Sequence, residues 1–436
     1  MKKIKPFVII LSVMLLLTGC ANFRISATIE DLISPVSPSG DNAGIQSAVD
    51  EYCKTGYSIK IPASGNYTTS FILHDLDGDG MNEAVAFYEM SDKTGTVCMA
   101  VLKKNNDKWS VIEKIDGAAT DVNSVDFCDL NNDSSEEIIV CWSIVSKTTG
   151  SSLNVYKQTV TQSGEYKLKK ISDSVTASNF VCVDMNDDGA NELLIFTNGA
   201  SSDYPKAELY SYKNDKKAFL GSTKLDNGIT LFERITCAKT DEGMSVFADA
   251  VKSNGSSMVT ELIYWSDYYD SIISPFYSYS TGKTSATSRN NEITSRDIDN
   301  DGFVEIPTDA SIKKLPAEIS AQNWMVYDNT VLNHKCYSIS CKRDGIIITI
   351  PDKYFKNIKV NYNSKQRKIE VVSKKTDEAV FDIITVIKTT YDSRDEKYAG
   401  YEEIFSSYGY VYLARVNTSS DIDTDIKTLK NMIKAY

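Results

Sequence analysis

The chain is poor in the residues that usually announce chemistry. Two histidines occur in 436 residues, and no G-x-S-x-G, H-E-x-x-H or phosphate-cradling glycine loop is present, which argues against the common hydrolase, zinc-protease and nucleotide-binding sites. Nine cysteines include no C-x-x-C pair, so thiolate metal ligation has no support. Basic residues are the minority: 47 Lys and Arg against 59 Asp and Glu give a formal net charge of −12, a balance unsuited to nucleic acid. After the N-terminal segment, no apolar run is long enough to cross a bilayer.

What the sequence does have is a repeat. Four strings share one pattern: DLDGDGMNE (75–83), DLNNDSSEE (129–137), DMNDDGANE (184–192) and DIDNDGFVE (297–305). A fifth, KTDEGMSVF (239–247), keeps the register and has lost the acids. The starts fall at 75, 129, 184, 239 and 297, at intervals of 54, 55, 55 and 58, and such a period means a repeat architecture. Fourteen carboxylates stand at the recurring positions, four, three, three and four per loop. Without them the balance moves from −12 to about +2.

Side-chain oxygens at positions 1, 3, 5 and 9, with a backbone carbonyl at position 7, can converge on one hard cation, and an oxygen-only set suits calcium. The loops are not EF-hands, because position 12 holds Ala86, Val140, Ile195 or Thr308. The bland alternative is an Asx-rich hairpin turn without metal. Recurrence of the same four oxygen positions favours the metal, in a stapling role rather than a catalytic one.

Alternating residues such as Phe71 and Leu73, Val125 and Phe127, or Phe180 and Cys182 precede the loops, while AVAFY (84–88), IIVCW (138–142) and LLIF (193–196) follow them. The first pattern predicts half-buried strands and the second strands buried on both faces. Further strand-like runs at 97–102, 153–159, 207–212 and 259–265, then at 109–115, 166–171 and 218–225, bring each unit to about four strands, the content of one propeller blade.

Residues 57–330 thus resemble the FG-GAP/VCBS-type repeats of calcium-binding β-propellers, as in integrin α-subunit heads, and the whole chain resembles VCBS-repeat lipoproteins of Gram-positive bacteria. The resemblance implies calcium ligands at Asp75, Asp77, Asp79 and Glu83; at Asp129, Asn131, Asp133 and Glu137; at Asp184, Asn186, Asp188 and Glu192; and at Asp297, Asp299, Asp301 and Glu305. It places the position-7 carbonyls on Met81, Ser135, Ala190 and Phe303. The second loop departs from the pattern with Ser134 where glycine is usual, and the unit at 239–247 is expected to hold no metal.

At the N-terminus, Lys2, Lys3 and Lys5 precede an apolar stretch, 7–17, that ends in Leu17-Thr18-Gly19-Cys20. This reads as a lipoprotein signal peptide (1–19) with a lipobox-like end. Cys20 then accepts the lipid and anchors the protein in the bilayer on the extracytoplasmic side. Residues 20–55 read as lipidated cysteine, tether and a short helix marked by Ile45, Ala48, Val49 and Tyr52. The other eight cysteines read as buried small apolar residues, Cys182 and Cys237 sharing a core-facing position with Leu73 and Phe127.

The expected architecture is mainly β: a propeller of about five blades over 56–334, then a small α+β domain over 335–436. That domain is expected to have strands at 345–350, 358–362, 368–372, 381–387 and 408–416, closed by a helix from about 421 to 435, with Ser420 and Asp423 at its start and a stripe of Ile422, Ile426, Leu429 and Ile433. His74 stands where other units have Cys128, Val183, Ala238 or Arg296 and reads as a surface residue; His334 reads as part of a linker. An enzyme is not expected. The sequence leaves open a binding or scaffold module for a protein or glycan, an envelope structural or assembly factor, and a glycan-active enzyme sited in a propeller funnel.

Overall fold

The computed structural model describes residues 39–436 except 55, 118, 144–150, 163–164, 200–203, 254, 329 and 408. The signal peptide, Cys20 and most of the tether therefore lie outside the described residues. The described chain is mainly β, arranged as six antiparallel sheets in chain order. Sheet 1 holds β1 (Tyr57–Lys60), β2 (Ile72–His74), β3 (Glu83–Met90), β4 (Val97–Asn105) and β5 (Lys108–Asp116). Sheet 2 holds β6 (Asp121–Cys128), β7 (Glu137–Ser143), β8 (Ser151–Val160), β9 (Tyr166–Lys170) and β10 (Val175–Ala177). Sheet 3 comprises β11 (Asn179–Val183), β12 (Glu192–Thr197), β13 (Lys206–Ser211) and β14 (Ala218–Lys224). Sheet 4 comprises β15 (Ile229–Thr240), β16 (Gly243–Lys252), β17 (Met258–Ser266) and β18 (Ser271–Ile273).

Why the sheets stack is written in their second strands, whose central runs 84–88, 138–142 and 193–196 are apolar at every position. Successive side chains of a strand point to opposite faces, so each such strand must be covered twice. Ala84, Ala86 and Tyr88 pack on helix α1 (Asp41–Cys53), while Val85 and Phe87 pack on sheet 2. In β7, Ile138, Val140 and Trp142 face sheet 1 and Ile139 and Cys141 face sheet 3. Leu194 and Phe196 join Val246, Ala248 and Ala250 between sheets 3 and 4. The face of sheet 1 turned away from sheet 2 is closed by α1, through Ile45, Ala48, Val49 and Cys53; Cys53 takes the place expected for Tyr52, which is exposed.

Sheet 5 joins β19 (Glu305–Ala310), β20 (Ser320–Asp328), β21 (Val331–Cys341) and β22 (Ile346–Ile350) to the C-terminal β28 (Ile433–Ala435). The expected domain border at 334/335 falls inside β21, and His334 lies in that strand rather than in a linker. Pro307 sits in β19, the edge strand of its sheet, where its missing N–H is tolerated. Sheet 6 comprises β23 (Ile358–Asn363), β24 (Lys368–Ser373), β25 (Ala379–Ile387), β26 (Glu402–Ser407) and β27 (Tyr410–Val416). One of its faces packs on sheet 5 through Ile339, Ile346 and Ile348; the other is covered in part by Tyr391, Tyr398 and Tyr401.

The closing helix is shorter than expected. It runs Ile426–Met432, capped by Asp425, whose side chain accepts from the Thr428 amide at 2.6 Å. Ile433 leaves the helix and pairs with Ile348, because the edge of β22 offers unpaired backbone groups that a strand satisfies and a helix cannot.

Sheet 4 is held by a buried polar network. Arg289 and Asp249 are both buried and paired at 2.7 Å. The guanidinium also donates to Thr260 Oγ1 at 2.8 Å and to the Ile293 carbonyl at 3.0 Å. Asp249 accepts from the Ser295 amide at 2.8 Å, which ties the long segment after β18 onto the sheet. Breaking a buried pair leaves an uncompensated charge. Arg289→Met is therefore expected to destabilise the protein by about 3–5 kcal/mol in urea unfolding, and a change below about 1 kcal/mol would contradict this account.

Candidate metal centres

Each acidic loop is first a backbone device. The position-1 aspartate turns back into its own loop. Asp75 accepts from Gly78 and Gly80 at 2.9 Å each; Asp129 accepts from Asn132 at 2.7 Å and Ser134 at 2.9 Å. Asp184 accepts from Gly189 at 3.0 Å and Asp297 from Gly302 at 2.9 Å. Amides can converge on one carboxylate because position 6 takes a left-handed backbone in every loop: φ is 84° at Gly80, 71° at Ser134, 82° at Gly189 and 93° at Gly302. Serine is strained there where glycine is not, so the second loop bears a cost the others avoid.

Position 9 closes the loop from the other side. Glu83, Glu137, Glu192 and Glu305 are all fully buried. One oxygen of each accepts the amide of the apolar position-2 residue: Leu76 at 3.1 Å, Leu130 at 2.9 Å, Met185 at 3.0 Å and Ile298 at 2.9 Å. Those position-2 side chains are core residues. The second oxygen is the anomaly. In Glu192 and Glu305, Oε1 is buried and has no hydrogen-bond partner among the described residues, a costly state for a carboxylate. Burial accordingly pushes the carboxyls of Glu137, Glu192 and Glu305 up to about 7; burial also raises Glu83.

Two loops bring three carboxylates into one cluster. Ligand oxygens of Asp75, Asp77 and Glu83 lie within 4.8 Å of one another, as do those of Asp297, Asp299 and Glu305. These sets can hold a metal ion, and their donors are all hard oxygens. The other two loops differ at position 3. The Oδ1 atoms of Asn131 and Asn186 accept from the amides of Asp133 (3.0 Å) and Asp188 (3.2 Å). Their Nδ2 groups then face the loop: Asn131 donates to Glu137 Oε1 at 2.7 Å and to Asp215 at 3.0 Å, and Asn186 donates to Asp188 at 3.2 Å. Each Oδ1 keeps a second lone pair that a cation can use, as does the Asp77 oxygen that accepts from the Asp79 amide. At position 7, Met81, Ser135, Ala190 and Phe303 donate their amides to the position-5 aspartates Asp79, Asp133, Asp188 and Asp301 at 2.8–3.1 Å.

A lysine that the sequence pattern did not single out reaches into each acidic loop. Lys103 Nζ lies 2.6 Å from Asp77, 3.0 Å from Asp79 and 2.8 Å from Glu83. Lys157 lies 2.9 Å from Asp133 and 2.7 Å from Asp215. Lys213 lies 2.6 Å from Asp188, and Lys335 pairs with Asp299 at 3.3 Å and with Asp301. These ammonium groups hold Asp79, Asp188 and Asp301 below the usual carboxylate range. The signal was present: 75 to 103 and 129 to 157 are both 28 residues, and 184 to 213 is 29.

The unit that lost its acids also lost its loop. Thr240 pairs with Gly243, and the chain turns tightly through Asp241 and Glu242. In the acidic units, position 9 pairs with the residue just before the loop, as in His74–Glu83, Cys128–Glu137, Val183–Glu192 and Arg296–Glu305. Here Ala238 pairs with Ser245, two residues short of Phe247, so the sequence register survives and the pairing register does not. The cysteine expectation also needs correction: Leu73 and Cys237 are exposed and Cys182 is half-buried, while Phe127 is buried. These positions lie on first strands, which the stack covers less completely than second strands. Both histidines are held in structural contacts. His74 stacks on Phe127 at 4.3 Å and meets Glu136 at 2.5 Å across the sheet 1–sheet 2 boundary, and His334 meets Asp352 at 2.9 Å.

No family model and no curated protein matches the chain. Among solved structures it is similar to one titled as the crystal structure of the exotype rhamnogalacturonan lyase YesX, at 12% identity and a TM-score of 0.27, over 75% of this chain and 72% of that one. A likeness at that level carries no argument about chemistry.

Proposed function

We propose that the protein is a lipid-anchored extracytoplasmic binding or scaffold module, built as a propeller-type array of about five blades and stapled by calcium at its acidic loops. The observation that carries the calcium reading is the buried glutamate at position 9. Among the described residues its second oxygen has no donor in Glu192 or Glu305, and in the Glu305 loop the neighbouring side chains that converge with it are carboxylates. A divalent ion supplies the missing partner, and an all-oxygen set with carboxylates from one short loop suits calcium better than a softer metal. Asp75, Asp77, Asp79 and Glu83 would hold one ion and Asp297, Asp299, Asp301 and Glu305 another. The propeller reading is supported by four- and five-stranded antiparallel sheets that stack face to face in chain order. The anchor reading rests on the Leu17–Cys20 segment. A binding rather than catalytic role fits carboxylates committed to loop closure and histidines committed to packing. The partner class is a protein or glycan of the cell envelope.

Three outcomes test this reading. Calcium at tenfold excess over Kd adds about 1.4 kcal/mol per site, so melting in millimolar calcium should occur several degrees above melting in a chelator; superimposable curves would sink the calcium reading. The metal-free protein should also lose stability as pH rises. A carboxyl at about 7 in the fold, against an ordinary 4.5, contributes stability that is complete below about 4.5 and gone above about 7. Glu305→Gln should therefore stabilise the metal-free protein at pH 8 by about 1–3 kcal/mol yet reduce the gain from calcium, and a loss in both conditions would contradict the account. Finally, Cys20→Ser should move the protein from the membrane fraction to the medium, and unchanged retention would reject the anchor.

A further inference from the structure

The lysines in the acidic loops stand where a cation would stand. Lys103 Nζ is at hydrogen-bond distance from three carboxylates, Asp77, Asp79 and Glu83. Two of these, Asp77 and Glu83, belong to the carboxylate cluster able to hold a metal ion. A point that close to three converging oxygens lies inside their shell. Calcium closes on its oxygens at about 2.3–2.6 Å, so an ion drawing on the same oxygens would meet the ammonium at contact distance and with like charge. The two cations exclude each other.

The lysines also reach their loops by different routes. Lys103 and Lys157 stand opposite Glu83 and Glu137, one step beyond the pairs Ala84–Leu102 and Ile138–Tyr156. Lys213 comes from the turn Lys213–Asp215 that follows β13. Lys335 comes from β21, at the irregularity where Trp324 pairs with Cys336 and Met325 with His334. Four loops thus receive an ammonium from three kinds of backbone position. In the unit without acids, Phe247 pairs with Leu262, and acids and lysine are lost together. The ammonium follows the carboxylates rather than a fixed place in the repeat.

We infer that Lys103 and Lys335 are built-in counter-cations that hold the first and last acidic loops closed in the metal-free protein and must swing out when calcium binds, so that they set the calcium affinity. This rests on the calcium reading of the same loops and adds its regulation. Exchange of an ammonium for a divalent ion keeps the loop closed in both states while weakening the apparent affinity, since each binding event includes loss of an ion pair. Both side chains are free to leave: Lys103 and Lys335 remain 25% and 30% exposed.

The test is calorimetric titration of calcium chloride into the metal-free soluble chain and its variants, with thermal melts of each. Lys103→Met and Lys335→Met should each bind calcium at least tenfold more tightly at the affected loop. Each should melt lower than wild type without metal and gain more from calcium. Lys103→Arg, which keeps a cation in place, should retain weak binding, and Lys359→Met, in sheet 6 and paired with Asp377, should bind calcium as wild type does. Calcium binding by a Met variant where wild type shows none supports the inference. Unchanged or weaker binding by both Met variants, with wild type binding calcium, overturns it and spares the calcium reading. No binding by any form overturns both.

Discussion

The structure depends on one constraint: the second strand of each of the first three units is apolar on both sides and cannot be left with a bare face. A strand such as Glu83–Met90 or Glu192–Thr197 offers core residues up and down, so it requires a neighbour above and below. Six sheets in chain order answer that requirement, with α1 as the first neighbour of sheet 1. The acidic loops are a consequence. Between a first strand and a fully buried second strand the chain must turn without leaving polar atoms stranded. The position-1 aspartate and the position-9 glutamate take up the loop amides that the turn exposes.

That loop chemistry creates its own difficulty. A glutamate that serves the Ile298 amide with one oxygen leaves the other buried among aspartates. A proton, an ammonium or a metal ion can relieve it, and the chain carries provisions for each: a raised carboxyl pKa at Glu305, a lysine at the rim, and a carboxylate cluster open to a cation. Sheet 4 takes a fourth course. It dispenses with the loop and satisfies its interior charge with Arg289 on Asp249.

Much of the fold was legible because burial on two faces and burial on one leave different periods, so β3, β7 and β12 could be placed from AVAFY, IIVCW and LLIF. The repeat and the candidate ligand positions were legible because acids that return at one spacing, each followed by an apolar strand, mark a turn organised around their charge. Three things were not. The lysines come from strands, and in one unit from a turn, 28 or more residues past the start of the loop, and that offset is constant only in the first units. The inward amide of Asn131 depends on which of its two ends meets the Asp133 N–H, which composition cannot reveal. The C-terminal helix stops short of its apolar stripe, which Ile433 continues from Ile422, Ile426 and Leu429; the stripe records burial, and a strand added to β22 buries Ile433 as well as a helix would.

The helix over sheet 1 has a counterpart at the far end, where Tyr391, Tyr398 and Tyr401 pack on the outer face of sheet 6. A stack of two-faced sheets is in principle open to growth, since each exposed face is a template for the next layer of another copy. Here α1 closes the outer face of sheet 1, and the tyrosines cover part of the outer face of sheet 6, whose β23 end shows the exposed Lys359 and Asn361. The consequence is that neither end of the stack offers a wholly bare apolar face for another copy to cover.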